Sequence, residues 1–312
     1  MANSVTDALS RPIRMRSLDI NFLSKGTRCA ATLLMPDVGI AAPVIIMAHG
    51  FGLIRDAGLM LFAKRFIKAG YAVLMFDYRT FGDSDGLPRQ WISPKRHIED
   101  WHAAIAHVRT LHFIDSKRIA LWGTSFSGGH ALQVAAKDQA IHAVITLVPH
   151  VSGLASMRET SLSMALRLSL AGLQDLIGGL FGKPVYRPII GQPGDVAALT
   201  SPGAWSGYLG LLPSQARWRN ITRARIFLEL PLYSPIRYVH RILVPVLVIA
   251  GRYDRVTPPD AAKSAATRMP KGQFFLLDSD HFQPFAGDHF EQGMSSQLAF
   301  LNEAMPITPP SH

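Results

Sequence analysis

The stretch "ALWGTSFSGGHA", Ala120 to Ala131, decides how the chain reads. An apolar run enters it, two serines stand two residues apart, and paired glycines leave it. The run "KRIALWG" has the continuous apolar character of a strand buried on both faces, and "SGGHALQVAAKDQ" carries a helical pattern. A serine at that corner sits on a sharp turn with its hydroxyl exposed, as in the pattern G-x-S-x-G. Ser125 has Gly123 two before it but Ser127 two after it, and Ser127 has Gly129 two after it but Ser125 two before it. Spacing from the strand separates them. Ser125 follows the strand by one residue, whereas Ser127 falls in the first helical turn as a small packing residue.

Working outward, strand-like and helix-like segments alternate. "IRMRSLDINFLS" and "TRCAATLLMP" flank Lys25-Gly26 as a hairpin. "PVIIMAHG", "YAVLMFDY" and "IHAVITLVP" read as buried strands, separated by "GLMLFAKRFIKAG" and by a helix opened by Ser93 as N-cap and Pro94 at the first helical position. The rhythm stops after Pro149 and resumes at "VPVLVIAG", then "PPDAAKSAATRM", "GQFFLLD" and a final helix, with "PITPPSH" as a tail. The pattern predicts an α/β domain, a mostly parallel sheet with helices on both faces. The expected division is a core of residues 1–151 and 241–312 with a largely helical insertion at 152–240. Such an insertion lies over the strand ends where α/β active sites sit.

A serine hydroxyl needs a base, and the base needs an acid to fix its tautomer. In this architecture the chain order is Ser, acid, His. Asp254 in "GRYDRVTPP" and His281 in "DSDHF" each follow a strand, in that order. The other histidines, among them His97, His130 and His150, sit in or beside regular elements and read as packed or solvated. Asp278 and Asp280 flank His281 too closely in sequence to converge on a metal, and Asp280 reads as a group that orients the His281 loop. No metal and no cofactor is expected. "AHGFG" supplies backbone N–H groups for an oxyanion, with Phe51 as one donor and Phe126, after the nucleophile, as the other.

Composition narrows the classes. Hydrophobic residues make up 48% and charged residues 17% of 312, a globular balance. The formal charge is +10, but the basic residues are dispersed, so nucleic-acid binding is not expected. The lone Cys29 forms no intrachain disulfide and reads as a small buried hydrophobe. No apolar run suggests a signal peptide or a membrane span, and the expectation is a cytoplasmic chain without stable membrane insertion.

Taken together, "AHGFG", "FDYRTFGDSDG", "GTSFSGG", "GRYDRVTPP" and "DHF" resemble the α/β-hydrolase family, in that family's order and across residues 49–282. More narrowly, "DYRTFGDSDGLPRQ", "EDW" and "GTSFSGG" resemble a branch near dienelactone-hydrolase-like esterases and fungal polyketide-transferase-like hydrolases. The resemblance implies Ser125 as nucleophile, His281 as general base, Asp254 as its partner, and "DYRTFGDSDG" as a structural loop. Ser127 in place of the second glycine departs from the pattern. The implied function is hydrolysis of a small-molecule carboxylic ester through an acyl-enzyme. An acyltransferase, thioesterase or peptidase would carry the same motifs, and a binding protein on this scaffold would lose a member of the set. Substrate-binding residues are not legible. The insertion carries nine Lys and Arg against four Asp and Glu. Its stripe of Leu162, Leu166, Leu170, Leu173 and Ile177 suits core packing or an apolar lining, which favours apolar or aromatic esters. An apolar insertion surface would also suit a homodimer.

Overall fold

The computed structural model describes residues 15–37, 41–158 and 160–307. Most of the "PITPPSH" tail and the N-terminal residues to 14 lie outside the described residues. The central sheet is built from β1 (Met15–Ser24), β2 (Thr27–Pro36), β3 (Pro43–Ala48), β4 (Ala72–Phe76), β5 (Asp115–Thr124), β6 (Ala143–Leu147), β9 (Val246–Gly251) and β10 (Gly272–Leu277). Their order is β1-β2-β4-β3-β5-β6-β9-β10. β1 and β2 pair antiparallel, β2 meets β4 antiparallel, and every pairing from β4 to β10 is parallel. Ser24 pairs with Thr27, so Lys25 and Gly26, both at positive φ, form the two-residue turn between them.

The uninterrupted apolar runs are explained by burial on two faces. In β3, Val44 and Ile46 enter one core while Ile45 and Met47 enter the other. Trp122 of β5 and Ile249 of β9 join the second core, and Leu121 and Val248 the first. The helices α1 (Leu59–Lys68) and α9 (Gly287–Ala304) cover the second face. The helices α2 (Pro94–Val108), α3 (Phe126–Ala135) and α8 (Pro259–Thr267) cover the first. Ser93 precedes Pro94 at the start of α2, but its hydroxyl donates to Glu229 (2.9 Å) and accepts no N–H of the helix.

Between β6 and β9 the chain leaves the sheet. It forms α4 (Gly153–Met157), α5 (Leu162–Leu180), α6 (Ala204–Gly210) and α7 (Ile226–Glu229), with a two-stranded ribbon of β7 (Tyr186–Arg187) and β8 (Thr222–Arg223). Polar contacts hold this segment together. Asp175 of α5 is fully buried and accepts from Arg223 Nη2 (2.8 Å), Arg225 Nε (2.8 Å) and the Val185 N–H (2.9 Å). Burial opposes its charge, yet these donors hold its carboxyl below the usual range. Arg223 and Arg225 also lie over the ring of Trp91, each 5.1 Å from its centre, with Arg96 at 4.4 Å.

The leucine stripe of α5 does neither thing expected of it. Leu162, Leu166, Leu170, Leu173 and Ile177 face outward and are exposed, while Leu168, Ala171, Gly172 and Asp175 form the buried face. Periodicity identified the residues that share a face, but the neighbouring chain decides which face turns inward.

Candidate active site

Ser125 stands where β5 hands over to α3, with φ 54° and ψ −121°. A non-glycine residue in that region stores on the order of 1–3 kcal/mol of strain, held by its surroundings. Here the surroundings are backbone. The Ser125 N–H donates to the Leu147 carbonyl (2.8 Å), and its own carbonyl accepts from Gly128 (3.0 Å) and His150 (2.9 Å). Small residues are forced where the helix passes close. A Cβ on Gly123 would lie 2.3 Å from the Ser127 carbonyl oxygen, and one on Gly129 would lie 2.2 Å from that of His150.

The two serines separate cleanly. Ser127 is fully buried and its hydroxyl bonds Tyr78 Oη, which also accepts from Trp101 Nε1 (2.8 Å). Ser125 is partly exposed and its Oγ lies 3.0 Å from His281 Nε2. His281 Nδ1 lies 2.7 Å from Asp254 Oδ2. Asp254 Oδ1 accepts the N–H groups of Val256 (2.7 Å) and Thr257 (2.8 Å), and Thr257 Oγ1 donates to Oδ2 (2.7 Å). The three residues singled out from sequence therefore meet in one line of hydrogen bonds, although they come from three strand ends. Asp254 and His281 are nearly buried.

Thr257 was not legible as a site residue. Besides Asp254, it reaches the Val148 carbonyl (3.0 Å) and lies 3.2 Å from His281 Nδ1. Its signal was local: a threonine three residues after an aspartate often closes a side-chain turn. Asp280 behaves as expected, accepting from the Phe282 and Gln283 N–H groups (both 2.8 Å) and so shaping the turn that carries His281. Asp278 instead pairs with Arg252 at the surface. Among the described residues there is no group of three metal-ligating side chains.

Opposite the elbow, the "HGFG" loop comes close. A Cβ on Gly50 would stand 3.1 Å from Ser125 Cβ. Among the described residues, neither the Phe51 nor the Phe126 N–H has a protein acceptor. The insertion grips this loop from its other side: Tyr208 Oη donates to the Phe51 carbonyl (2.8 Å), and Trp218 Nε1 donates to that of Gly52 (2.8 Å). Neither aromatic was legible in this role. His49 donates from Nδ1 to the Gly50 carbonyl (3.0 Å), and burial pushes its pKa down to about 4, keeping it neutral.

Behind the elbow lies a buried histidine cluster. His97 Nδ1 lies 3.3 Å from His130 Nε2, and His130 Nδ1 lies 2.6 Å from Tyr233 Oη. Burial holds both histidines well below their ordinary pKa. His150, also pushed down to about 4 by burial, is fixed by Ser156 Oγ (3.2 Å). His97 and His130 are packed as expected, whereas His150 also lines the cavity at Ser125. Burial likewise raises the thiol of Cys29 far above its ordinary range.

The loop "DYRTFGDSDG" is a brace. Asp77 accepts from the Arg55 N–H (2.7 Å) and the Asp83 N–H (3.1 Å) and pairs with the Arg55 guanidinium.

A cavity of about 330 Å³ opens on Ser125. The core contributes Phe51, Phe126 and His150. The insertion contributes apolar Leu168 and Phe227 alongside hydroxyls such as Ser169 and Thr200. Arg255 is its one charged lining residue among the described residues. The lining is mixed, not the plain apolar wall expected of the insertion.

Comparison with known proteins then fixes the family. A family model described as X-Pro dipeptidyl-peptidase (S15 family) matches residues 25–175. The quorum-quenching protein AidA of Acinetobacter baumannii is 40% identical over 291 residues, covering 93% of this chain and 96% of that protein. The thiohydrolase aneE of Aspergillus aculeatus is 27% identical over 282 residues, covering 84% and 86%. The polyketide transferase grgF of a Penicillium species is 32% identical over 275 residues, covering 84% of this chain and 88% of that protein. The crystal structure of GrgF, described as an α/β hydrolase, superposes with a TM-score of 0.80 over 95% of this chain and 100% of that one, at 23% identity. The chain belongs to the α/β-hydrolase superfamily. In this α/β hydrolase the order β1-β2-β4-β3-β5-β6-β9-β10 puts the elbow, Asp254 and His281 at the same edge of the parallel strands. No helix among the described residues is long and apolar enough to cross a membrane.

Proposed function

We propose that the protein is a serine hydrolase that cleaves carboxylic esters through an acyl-enzyme on Ser125, with residues 152–240 serving as its cap. One observation carries this reading: an unbroken hydrogen-bond line from Ser125 Oγ through His281 to Asp254, ending at a cavity. In the first half-reaction Ser125 Oγ attacks the carbonyl carbon as its proton passes to His281 Nε2. Asp254 holds the Nδ1 proton and stabilises the imidazolium. The Phe51 and Phe126 N–H groups meet the developing oxyanion. His281 then gives its proton to the leaving alkoxide. In the second half-reaction water attacks the acyl carbon, losing its proton to Nε2, which returns it to Ser125 Oγ as the acid leaves.

A second reading keeps this chemistry and changes the partners. The similar protein named as a thiohydrolase favours a thioester as acyl donor, and the one named as a polyketide transferase favours an acceptor other than water. The mixed cavity lining favours an acyl group that carries polar substituents along an apolar frame.

The test is a fluorophosphonate probe followed by mapping of the labelled residue. Labelling is expected at Ser125, lost in Ser125→Ala and kept in Ser127→Ala. A native protein that resists the probe, or is labelled at Ser127, would overturn the proposal. Paired alkyl esters and thioesters, with and without an added alcohol acceptor, then separate the two readings by the ratio of acid to transferred product.

A further inference from the structure

The outward face of α5 has a feature the active site does not use. From Leu166 onward, Leu166, Leu170, Leu173, Ile177 and Leu180 recur at intervals of four, three, four and three. This is the 3.5-residue spacing of a helix seam that packs against another helix. All five are exposed, from 47% at Leu173 to 80% at Leu180. The same helix is already docked on its own chain by Leu168, Ala171 and Asp175. It therefore has two apolar faces, and only one is covered.

We propose that the open face is covered by the α5 helix of a second copy of this chain, in an antiparallel pair about a twofold axis at Leu173. Three properties favour a second copy over another partner. The seam is self-complementary: inverted about Leu173, it sets Leu166 against Leu180 and Leu170 against Ile177, so every layer is apolar. It carries no charge that would select an opposite surface. The charged residues within α5 are Arg167 and Asp175, and Asp175 is turned inward to its arginines. Its extent also fits. With the flanking Leu162, Leu176 and Phe181, eight large apolar side chains stand 46–80% exposed along this helix and its C-terminal end, a contiguous patch of the kind that marks an interaction site. A lipid surface fits less well. A helix lying in a membrane interface keeps a strongly charged outer face, whereas the reverse of α5 is buried in protein.

The pairing has a consequence for the site. Ala165, Leu168 and Ser169 of α5 line the Ser125 cavity. A partner helix would back that wall, so dimer formation and the shape of the acyl site are coupled.

Sedimentation velocity on the full chain tests the proposal. The expected species has twice the 34.2 kDa protomer mass at micromolar concentration. Leu173→Glu brings two carboxylates together at the axis and is expected to weaken dimerisation by at least about 100-fold. Leu173 is solvent-exposed in the protomer, so the variant should still fold, with the far-UV circular dichroism of the native chain. Leu173→Cys gives an independent readout. The native Cys29 is buried, so mild oxidation should link two chains through position 173, while Leu162→Cys, at the far end of the pair, should not link. A native chain that stays monomeric at 50–100 μM overturns the proposal, as does a dimer that survives Leu173→Glu without cross-linking through Leu173→Cys. A monomer that binds phosphatidylserine vesicles through this face overturns it in favour of a lipid surface.

Discussion

Tyr208→Phe isolates a contact that joins the insertion to the loop facing Ser125. Tyr208 is buried, and its hydroxyl donates to the Phe51 carbonyl at 2.8 Å. The Phe51 N–H, one peptide plane earlier, is a proposed oxyanion donor. Removing the hydroxyl leaves the ring in place but orphans a buried carbonyl, at a cost of about 1–2 kcal/mol. Complete loss of an oxyanion donor costs about 3–4 kcal/mol, so a donor that is only less well held must cost less. The expected result is a kcat reduced by about 3–10-fold with KM little changed, because the oxyanion forms only on the way to the transition state. Stability should fall by about 1–2 kcal/mol, or roughly 1.5–3 °C in Tm for a chain of this size. The assay is steady-state hydrolysis of an aryl ester, with a thermal melt on the same preparation. Trp218→Phe removes the neighbouring bond to Gly52, and the double variant should cost less than the sum because both bonds hold one loop. A Tyr208→Phe enzyme with native kcat and lowered Tm would refute the reasoning, since the loop would then hold its geometry without the insertion.

Further outcomes follow from the same geometry. Ser127→Ala should keep kcat within about threefold and lose about 1 kcal/mol of stability, measured by denaturant melts, because Tyr78 keeps its bond from Trp101. Thr257→Val should lower kcat about 3–10-fold at near-constant KM, with Thr257→Ser restoring it, because the hydroxyl is one of the donors that hold Asp254. Stability should fall on mild acidification. His49 and His150 have pKa values near 4 when folded against an ordinary 6.5, so their contribution is complete above about 6.5 and is lost as pH falls towards 4. His97 and His130 add in the same direction. Asp77 and Asp100, raised to about 6 by burial, oppose them below pH 6 but are outnumbered. Thermal melts at pH 7.5 and 5 check the sign, and a higher Tm at pH 5 would contradict it.

The parallel sheet was legible because its strands are buried on both faces, which leaves apolar runs that no other context demands at such regular intervals. Ser125, Asp254 and His281 were legible because this topology fixes where each must stand relative to a strand end. What escaped were contacts that depend on how the insertion folds back. Tyr208 and Trp218 reach a loop about 160 residues away, and an aromatic residue gives no sign in the sequence of what its polar tip will touch. The face of α5 that meets the cavity is made of small and mixed residues, Ala165, Leu168 and Ser169, and carries a weaker pattern than the leucines behind it.

The close passage of α3 beneath the elbow bears on how the motif itself should be read. The usual pattern asks for glycine two residues after the elbow serine, and this chain places a second serine there whose hydroxyl fits beneath the corner against Tyr78. The intolerant positions are Gly123 and Gly129, where a methyl group would strike backbone oxygen. Backbone cannot rotate out of the way as a side chain can. A search template for this kind of turn would thus do better to demand bare α-carbons where main chain meets main chain, and to accept any compact residue where a side chain merely needs a niche.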